Sequence, residues 1–562
     1  MIRISLSPLS DMYADTKNTE MKNHRYDLLI VGAGFAGLYM LYRARKLGLS
    51  ARVLEAGLDV GGTWYWNRYP GARCDVPSME YSYSFSEALQ QEWRWTEVMA
   101  AQPEILDYAR HVADRFDLRK DIQFSTRVKA AQFDEEASTW QVITEAEEAF
   151  LGRFCVMATG CLSVPNMPEL AGQEDFQGAV YHTGAWPHEG VDFSGLNVGI
   201  LGTGSSGIQS IPEIAKQANS LTVLQRTPNY TMPAHNGPLS EAFQAEAKKN
   251  YAEIREHQRA SQIGIIGYGF GFGGAKAMTP SQQIMETTAE ERERLVEQEG
   301  FSAIRRFADV ATDSDANELA CEMYRIQVAR VVHDGETAEA LMPRGYPMGC
   351  KRPVIDTDYY ETFNRPNVRL VDLRKGGIRQ MTASGVSTEQ GDFAFDAFVF
   401  ATGFDAMTGA LERIDIRGRQ GRSLVDHWHA GPRTYLGLAM RGFPNLFTIT
   451  GPGSPSVLSN MLVSIEQHVD WIGDCIRWMD GAGHREIEAT EAAEAQWVEH
   501  VNEVAEGTPY TAASCNSWYL GANIPGKPRI FMPYVGGVGR YRETCDHVVE
   551  QGYAGFHLRT GP

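Results

Sequence analysis

A chain of 562 residues, 43% hydrophobic and 22% charged, is long enough for a sizeable core and for two or more domains. Its formal net charge of −19 argues against a nucleic-acid binder and against docking on an anionic membrane surface, because both need a basic face. The longest apolar stretches fall short of the ~18–20 residues that span a bilayer.

Residues 1–25 are polar and mixed in charge, without the basic-then-apolar layout of a secretion signal, and read as a loose extension. A first unit is expected over 26–161. From Tyr26 to Gly57 an apolar run ends at Gly32, apolar positions recur at helical spacing through Leu38, Leu41 and Ala44, and a second apolar run ends at Leu54 before Glu55. A second unit, over 162–404, repeats the shape from Leu196 to Thr227. Its strand ends near Gly202, and a helix begins near Ser205 and carries Pro212, where a local bend is expected. Between about 239 and 342 the composition turns helix-favouring and charged, which predicts a helical insertion in this second unit. Within it, Ile263–Gly274 is too glycine-rich for a stable element and reads as a loop. The segment Asp396–Ala406 reads as a buried strand entering a turn and parallels Phe154–Leu162. Residues 405–562 are expected to complete the first unit, with a Gly-Pro turn at Gly451 opening a long amphipathic helix.

The fold class is therefore α/β, with two Rossmann-like dinucleotide-binding domains and a helical insertion in the second. Gly32, Gly34 and Gly37 form GxGxxG between strand and helix, with Ala36 inside the motif. The first glycine permits the tight turn, the second lets a pyrophosphate approach, and the third lets helix and strand pack closely. The helix N-terminus then offers free N–H groups to the anion. Glu55 follows Gly32 by 23 residues, near the ~20 expected of an acid that accepts ribose hydroxyls. It repels a 2′-phosphate, so this site suits an unphosphorylated ADP moiety, as in FAD. Gly202, Gly204 and Gly207 repeat the turn, but that strand ends in Arg226, whose planar fork can grip a 2′-phosphate, as in NADPH.

Eight scattered cysteines without CxxC spacing suggest a reducing, cytoplasmic compartment and argue against a dithiol redox mechanism. No metal is expected: His427 and His429 form an HxH pair without a nearby third ligand, and read better as core or solvated histidines.

Phe176–Pro187, FQGAVYHTGAWP, matches FxGxxxHxxxWP at Phe176, Gly178, His182, Trp186 and Pro187, between the two glycine motifs. This resembles the fingerprint of Baeyer–Villiger monooxygenases. Segments beginning at Gly61, Gly345, Gly451 and Asn516 are similar to the phenylacetone and steroid monooxygenase subgroup. The resemblance implies FAD contacts at Thr63, Trp64, Tyr65, Trp66, Asp75, Tyr81 and Val128, with Met461 approaching the flavin through its backbone. It implies that Thr203, Ser205, Ser206 and Gln209 join the glycines around the NADP pyrophosphate. It gives Arg226, Thr227 and Lys351 the 2′-phosphate and packs Trp518 on the NADP ribose. Arg352 matches the catalytic arginine and Asp75 its carboxylate partner, while His182 looks more like a structural link than a base. Ser456, Val457 and Leu458, just before Met461, are expected to line a ketone pocket. The implied reaction inserts one oxygen atom of O2 beside a ketone, with sulfoxidation as a side activity. The rivals are an S- or N-oxygenating flavin monooxygenase, disfavoured by the fingerprint's ending, and a non-catalytic NADPH-sensing flavoprotein. The oligomeric expectation is a monomer.

Overall fold

The computed structural model describes residues 24–267 and 280–560. The extension before His24 and most of the glycine-rich loop lie outside the described residues. β1 (Arg25–Val31) runs into α1 (Phe35–Lys46), which returns the chain to β2 (Ala51–Leu54), parallel to β1 with Ile30 opposite Val53. β3 (Ala149–Met157) pairs parallel on the other side of β1, with Ile30 opposite Val156. These strands centre an eight-stranded sheet. Their central residues are apolar on both faces, as helices and loops covering a sheet on both sides require.

β4 (Asn197–Leu201), α2 (Ser205–Gln217) and β5 (Ser220–Gln225) rebuild the same unit in a second sheet of five strands. β6 (Ala397–Phe400) pairs parallel with β4, with Val399 opposite Ile200, and Ala179–His182 completes that edge. α2 runs through Pro212.

The two Ala-Thr-Gly segments that follow β3 and β6 have a shared packing role. A Cβ on Gly32 would stand 2.6 Å from the Ala158 carbonyl oxygen, and one on Gly202 would stand 2.5 Å from that of Ala401. Both glycines also adopt left-handed φ, 103° and 112°. Each turn is thus wedged against the exit of the neighbouring strand, where only glycine fits.

The helical run after residue 239 divides between two cores. Ala247, Tyr251 and Ile254, on its first two helices, pack in the core of the first sheet. Val296, Ala320, Tyr324 and Val328 pack in that of the second. α3 (Met461–Ala482) closes the first core, burying Leu462, Ile465, Val469, Ile472 and Ile476 on one face. From this helix His468 reaches back to the loop that opens it. Its Nδ1 accepts the Thr450 N–H at 2.8 Å, and its Nε2 lies 3.0 Å from the Tyr541 hydroxyl. Burial pushes its pKa down from 6.5 to about 3. Below pH 6.5 the unfolded chain takes up this proton and the native chain does not, so stability is lost as pH falls through that window. Denaturant titrations from pH 7 to pH 4 should show a shallower loss for His468→Gln than for wild type. Equal slopes would remove His468 as the cause.

One covalent link is not foreseen by the spacing of the cysteines. Cys350 and Cys515, 165 residues apart, form a disulfide, whereas Cys74, Cys155, Cys161, Cys321, Cys475 and Cys545 are free. Spacing could not reveal a pair that only the tertiary fold brings together. No helix among the described residues is long and apolar enough to cross a membrane.

Candidate active site between two nucleotide folds

The two glycine turns present uncapped helix starts. α1 and α2 begin after Gly34 and Gly204, neither with a side-chain cap nor with an acidic residue in its first turn. A Cβ on Gly204 would meet nothing within 4 Å, and one on Gly34 would reach only the Gly62 backbone, its Cα at 3.4 Å and its N at 3.8 Å. Open backbone at the second glycine, with free N–H groups behind it, is what a pyrophosphate needs. The third glycines are closed: a Cβ on Gly37 would lie 1.8 Å from the Gly32 oxygen, and one on Gly207 2.2 Å from the Gly202 oxygen.

Beyond the turns the two sites diverge. Glu55 is 5% exposed and accepts the N–H groups of Ala33 at 2.6 Å and Gly57 at 2.7 Å. Burial pushes its carboxyl up, and the two N–H donors work against that shift. They also hold the carboxylate at the rim of the first turn. At the second turn Arg226 and Thr227 are exposed, and the Thr227 carbonyl accepts the Thr203 hydroxyl at 3.1 Å. Lys351 joins them from 125 residues away. Burial lowers its pKa, and the nearby Arg226 charge lowers it further. Neither cation has a carboxylate partner among the described residues, so the two positive charges stand together without an internal counter-ion. Tyr346 supports them, with Lys351 Nζ 5.0 Å from its ring centroid.

Next to Lys351 stands Arg352. Its Nε lies 2.7 Å from Asp75 Oδ2, and its Nη2 donates to Asp75 Oδ1 at 3.0 Å. Nη1 donates to the Val457 carbonyl at 2.9 Å. Three segments thus converge: the loop after the first glycine unit, the Gly345–Arg352 stretch of the second, and the loop that opens α3. Burial works against the arginine's charge, but Asp75 and the neighbouring Tyr519 and Tyr510 more than restore it, and its pKa is raised. It is a permanent cation with an oriented plane.

The other residues singled out in the sequence make contacts of their own. Trp64 donates its indole N–H to the Tyr81 hydroxyl at 3.1 Å. Tyr65 is buried and takes the Leu58 N–H on its hydroxyl, and its ring meets Trp66 edge-on. Thr63 opens their short helix, and Val128 starts a strand of the first sheet. Gln209 of α2 bonds Tyr69 and the Arg73 carbonyl, locking the Asp75 loop to the second nucleotide fold. Ser206 instead turns inward to the Thr183 hydroxyl. Val457, Leu458, Met461 and Trp518 share one apolar cluster with Tyr519 and Phe531. Ser456 is fully buried, 3.2 Å from the Sγ of Cys161 in the same cluster, and its hydroxyl donates to the Thr450 carbonyl. His182 accepts the Gly184 N–H on Nδ1, and its Nε2 lies near the Asn166 carbonyl and the Thr402 hydroxyl. Asn166 and Thr402 lie on the two strands of chain that connect the nucleotide folds, so the histidine ties these crossings together. His427 is engaged by Glu494, and no metal-binding cluster occurs among the described residues.

Sequence reasoning missed Tyr510 and Tyr519 beside Arg352, the Val457 carbonyl, and Tyr346 under Lys351. Tyr346 lies within the Gly345 segment and Tyr519 within the Asn516 segment, so proximity to Lys351 and Trp518 was the available signal. Two clefts are not lined by Arg352 or Asp75. One, of about 290 Å3, is polar and lined by Tyr39, Arg255 and Glu466, and the other, of about 810 Å3, runs between Asp313 and Glu503. Neither contains Arg352, so convergent charge rather than cavity size marks the site.

Residues 29–267 match the pyridine nucleotide-disulphide oxidoreductase family. The chain is 41% identical to a phenazine N-monooxygenase of Lysobacter antibioticus, over 96% of this chain and 98% of that protein. It is 40% identical to a Baeyer–Villiger monooxygenase of Pseudooceanicola batsensis, with the same coverage. A solved structure of oxidised steroid monooxygenase bound to NADP superposes with a TM-score of 0.88 at 49% identity, covering 96% of this chain and 100% of that one. The chain belongs to the Baeyer–Villiger monooxygenase family. Its two nucleotides are FAD and NADPH.

Proposed function

We propose that the enzyme converts a ketone to an ester or lactone at Arg352, between the FAD fold and the NADPH fold. The observation that carries this reading is the arginine's clamp: Asp75 and the Val457 carbonyl hold it from two sides. Each terminal guanidinium nitrogen bears two N–H groups and uses one in these bonds, leaving one on each for an oxygen that becomes negative. The bound flavin supplies the activation of O2. The protein's part is to orient, to hold charge and to exclude water. Arg352 stabilises negative charge as it develops on the ketone oxygen, in a water-poor pocket where such contacts are strong. Asp75 fixes the guanidinium plane and keeps it charged. Glu55 holds the FAD ribose, with Thr63, Trp64, Tyr65, Trp66, Tyr81 and Val128 around the cofactor and the Met461 backbone at the flavin. Arg226, Thr227 and Lys351 hold the NADPH phosphate, and Trp518 covers its ribose. The helical run from 239 to 342 belongs mainly to the NADPH unit of 162–404, and 26–161 with 405–562 form the FAD unit. A cytoplasmic monomer whose small-molecule partners are a ketone and O2 completes the reading.

Oxygenation of nitrogen is the second reading, favoured by the relative named a phenazine N-monooxygenase. Sulfoxidation is proposed as a side activity. Product analysis with linear, aryl, cyclic and steroid ketones beside a thioether and an aromatic N-heterocycle separates the readings. Ester as the dominant product supports the first, and N-oxide with no ester from any ketone overturns it.

Two further results are expected. Arg226→Ala should weaken NADPH far more than NADH, by the ~1.5–3 kcal/mol of a charged hydrogen bond. Equal losses for both nucleotides in steady-state kinetics would refute the phosphate assignment. Shortening Val457 or Leu458 to Ala should admit bulkier ketones without altering flavin reduction, whereas an unchanged substrate profile would put the pocket elsewhere.

A further inference from the structure

The disulfide lies at the nucleotide end of the active site. Cys350 immediately precedes Lys351 and Arg352, and Cys515 stands three residues before Trp518. Both are fully buried, with Cα atoms 5.9 Å apart, a separation that a cystine bridges without backbone movement. The Cys515 segment has little regular structure of its own, only the short turns Pro509–Thr511 and Trp518–Leu520. Among the described residues no backbone–backbone hydrogen bond joins 345–353 to 508–529. Apolar packing, the disulfide and a hydrogen bond between the Tyr519 side chain and the Arg352 backbone hold the two segments together.

We propose that Cys350 and Cys515 are a redox-modification pair whose closure pins the Trp518 segment against Lys351–Arg352 and thereby tightens the NADPH site. The inference rests on the reading that Lys351 and Trp518 hold the nucleotide. Closure takes two protons and two electrons from the thiols and forms the S–S bond. Hydrogen peroxide is the oxidant: its O–O bond breaks and two waters leave. Opening needs a dithiol, which is oxidised to its own disulfide as the two cysteine thiols re-form. Because both sulfurs are buried, opening requires the Trp518 segment to lift, and saturating NADP+ should slow it. The free cysteines lie elsewhere or, like Cys161, face a hydroxyl rather than a second thiol.

The test uses the FAD-loaded full chain, treated with hydrogen peroxide or with dithiothreitol and freed of the reagent. Alkylation under denaturing conditions, read by mass, should label six thiols in the first preparation and eight in the second. Peptide mapping should find residues 350 and 515 crosslinked. The KM for NADPH should be roughly two- to tenfold higher in the reduced preparation, the cost of re-ordering a side chain such as Trp518, with kcat little changed. Cys515→Ser, and Cys350→Ser as a second variant, should behave like reduced wild type and ignore both reagents. Eight labelled thiols in both preparations would overturn the pair. A six-thiol form with the KM of the eight-thiol form would overturn its role. If that happens while Arg226→Ala still loses its preference for NADPH, the tether alone has failed. If Arg226→Ala keeps the preference, the nucleotide reading has failed with it.

Discussion

Arg352→Ala is expected to retain FAD, stay yellow and still be reduced by NADPH, yet make almost no ester. The substitution removes a fixed positive charge from between Asp75 and the Val457 carbonyl, where no other cation is hydrogen-bonded. A single preorganised donor in such a role is typically worth ~2.7–4 kcal/mol, about a hundred- to a thousandfold in rate. The variant also leaves Asp75 without its partner, so Arg352→Ala with Asp75→Asn separates lost catalysis from a stranded carboxylate. Stopped-flow absorbance follows flavin reduction, and chromatography follows ester. Near-normal ester from Arg352→Ala would mean that another group stabilises the developing charge. A variant that loses FAD would mean that the arginine is structural.

The second large effect is expected at a position with no functional group. Gly207→Ala would set a Cβ 2.2 Å from the Gly202 carbonyl oxygen, so α2 must shift away from its own turn. Overpacking of this kind costs ~1–3 kcal/mol, and here the shift falls on the pyrophosphate seat, so NADPH affinity should drop by about five- to 150-fold. The first fold is untouched, so FAD content should stay normal and dithionite should still reduce the flavin. Gly37→Ala is the mirror experiment, with its Cβ 1.8 Å from the Gly32 oxygen, and should lose FAD instead. If both variants lose the same cofactor, the assignment of the two turns is wrong.

The two glycine turns were legible because their chemistry is local. A strand, three glycines and a terminal acid or arginine lie within some two dozen residues, and each type has one physical job. The parallel between Phe154–Leu162 and Asp396–Ala406 was also visible. Its reason, the Ala158 and Ala401 carbonyls pressing on Gly32 and Gly202, needed coordinates. Arg352 and Asp75 are 277 residues apart, and no periodicity joins them, so only resemblance to a family proposed the pair. The Cys350–Cys515 bond had no such guide and was missed. The helices around Ala247 and Tyr251 show why composition under-determines packing: an amphipathic face announces that it will be buried, but not against which sheet. Ser456 was expected at the pocket wall because of its neighbours in sequence. It adopts a left-handed φ of 41°, and its side chain turns toward Thr450 and toward Cys161, a member of the apolar cluster that also holds Val457 and Leu458.

Turnover of a ketone with NADPH under 18O2, with the product identified by mass spectrometry, tests oxygen insertion most directly. The expected product is an ester or lactone carrying one 18O atom, inserted between the carbonyl carbon and its neighbour, with NADPH consumed in step with product. NADPH oxidation that yields only hydrogen peroxide from every ketone tried, while an aromatic N-heterocycle gains the label as an N-oxide, would contradict it.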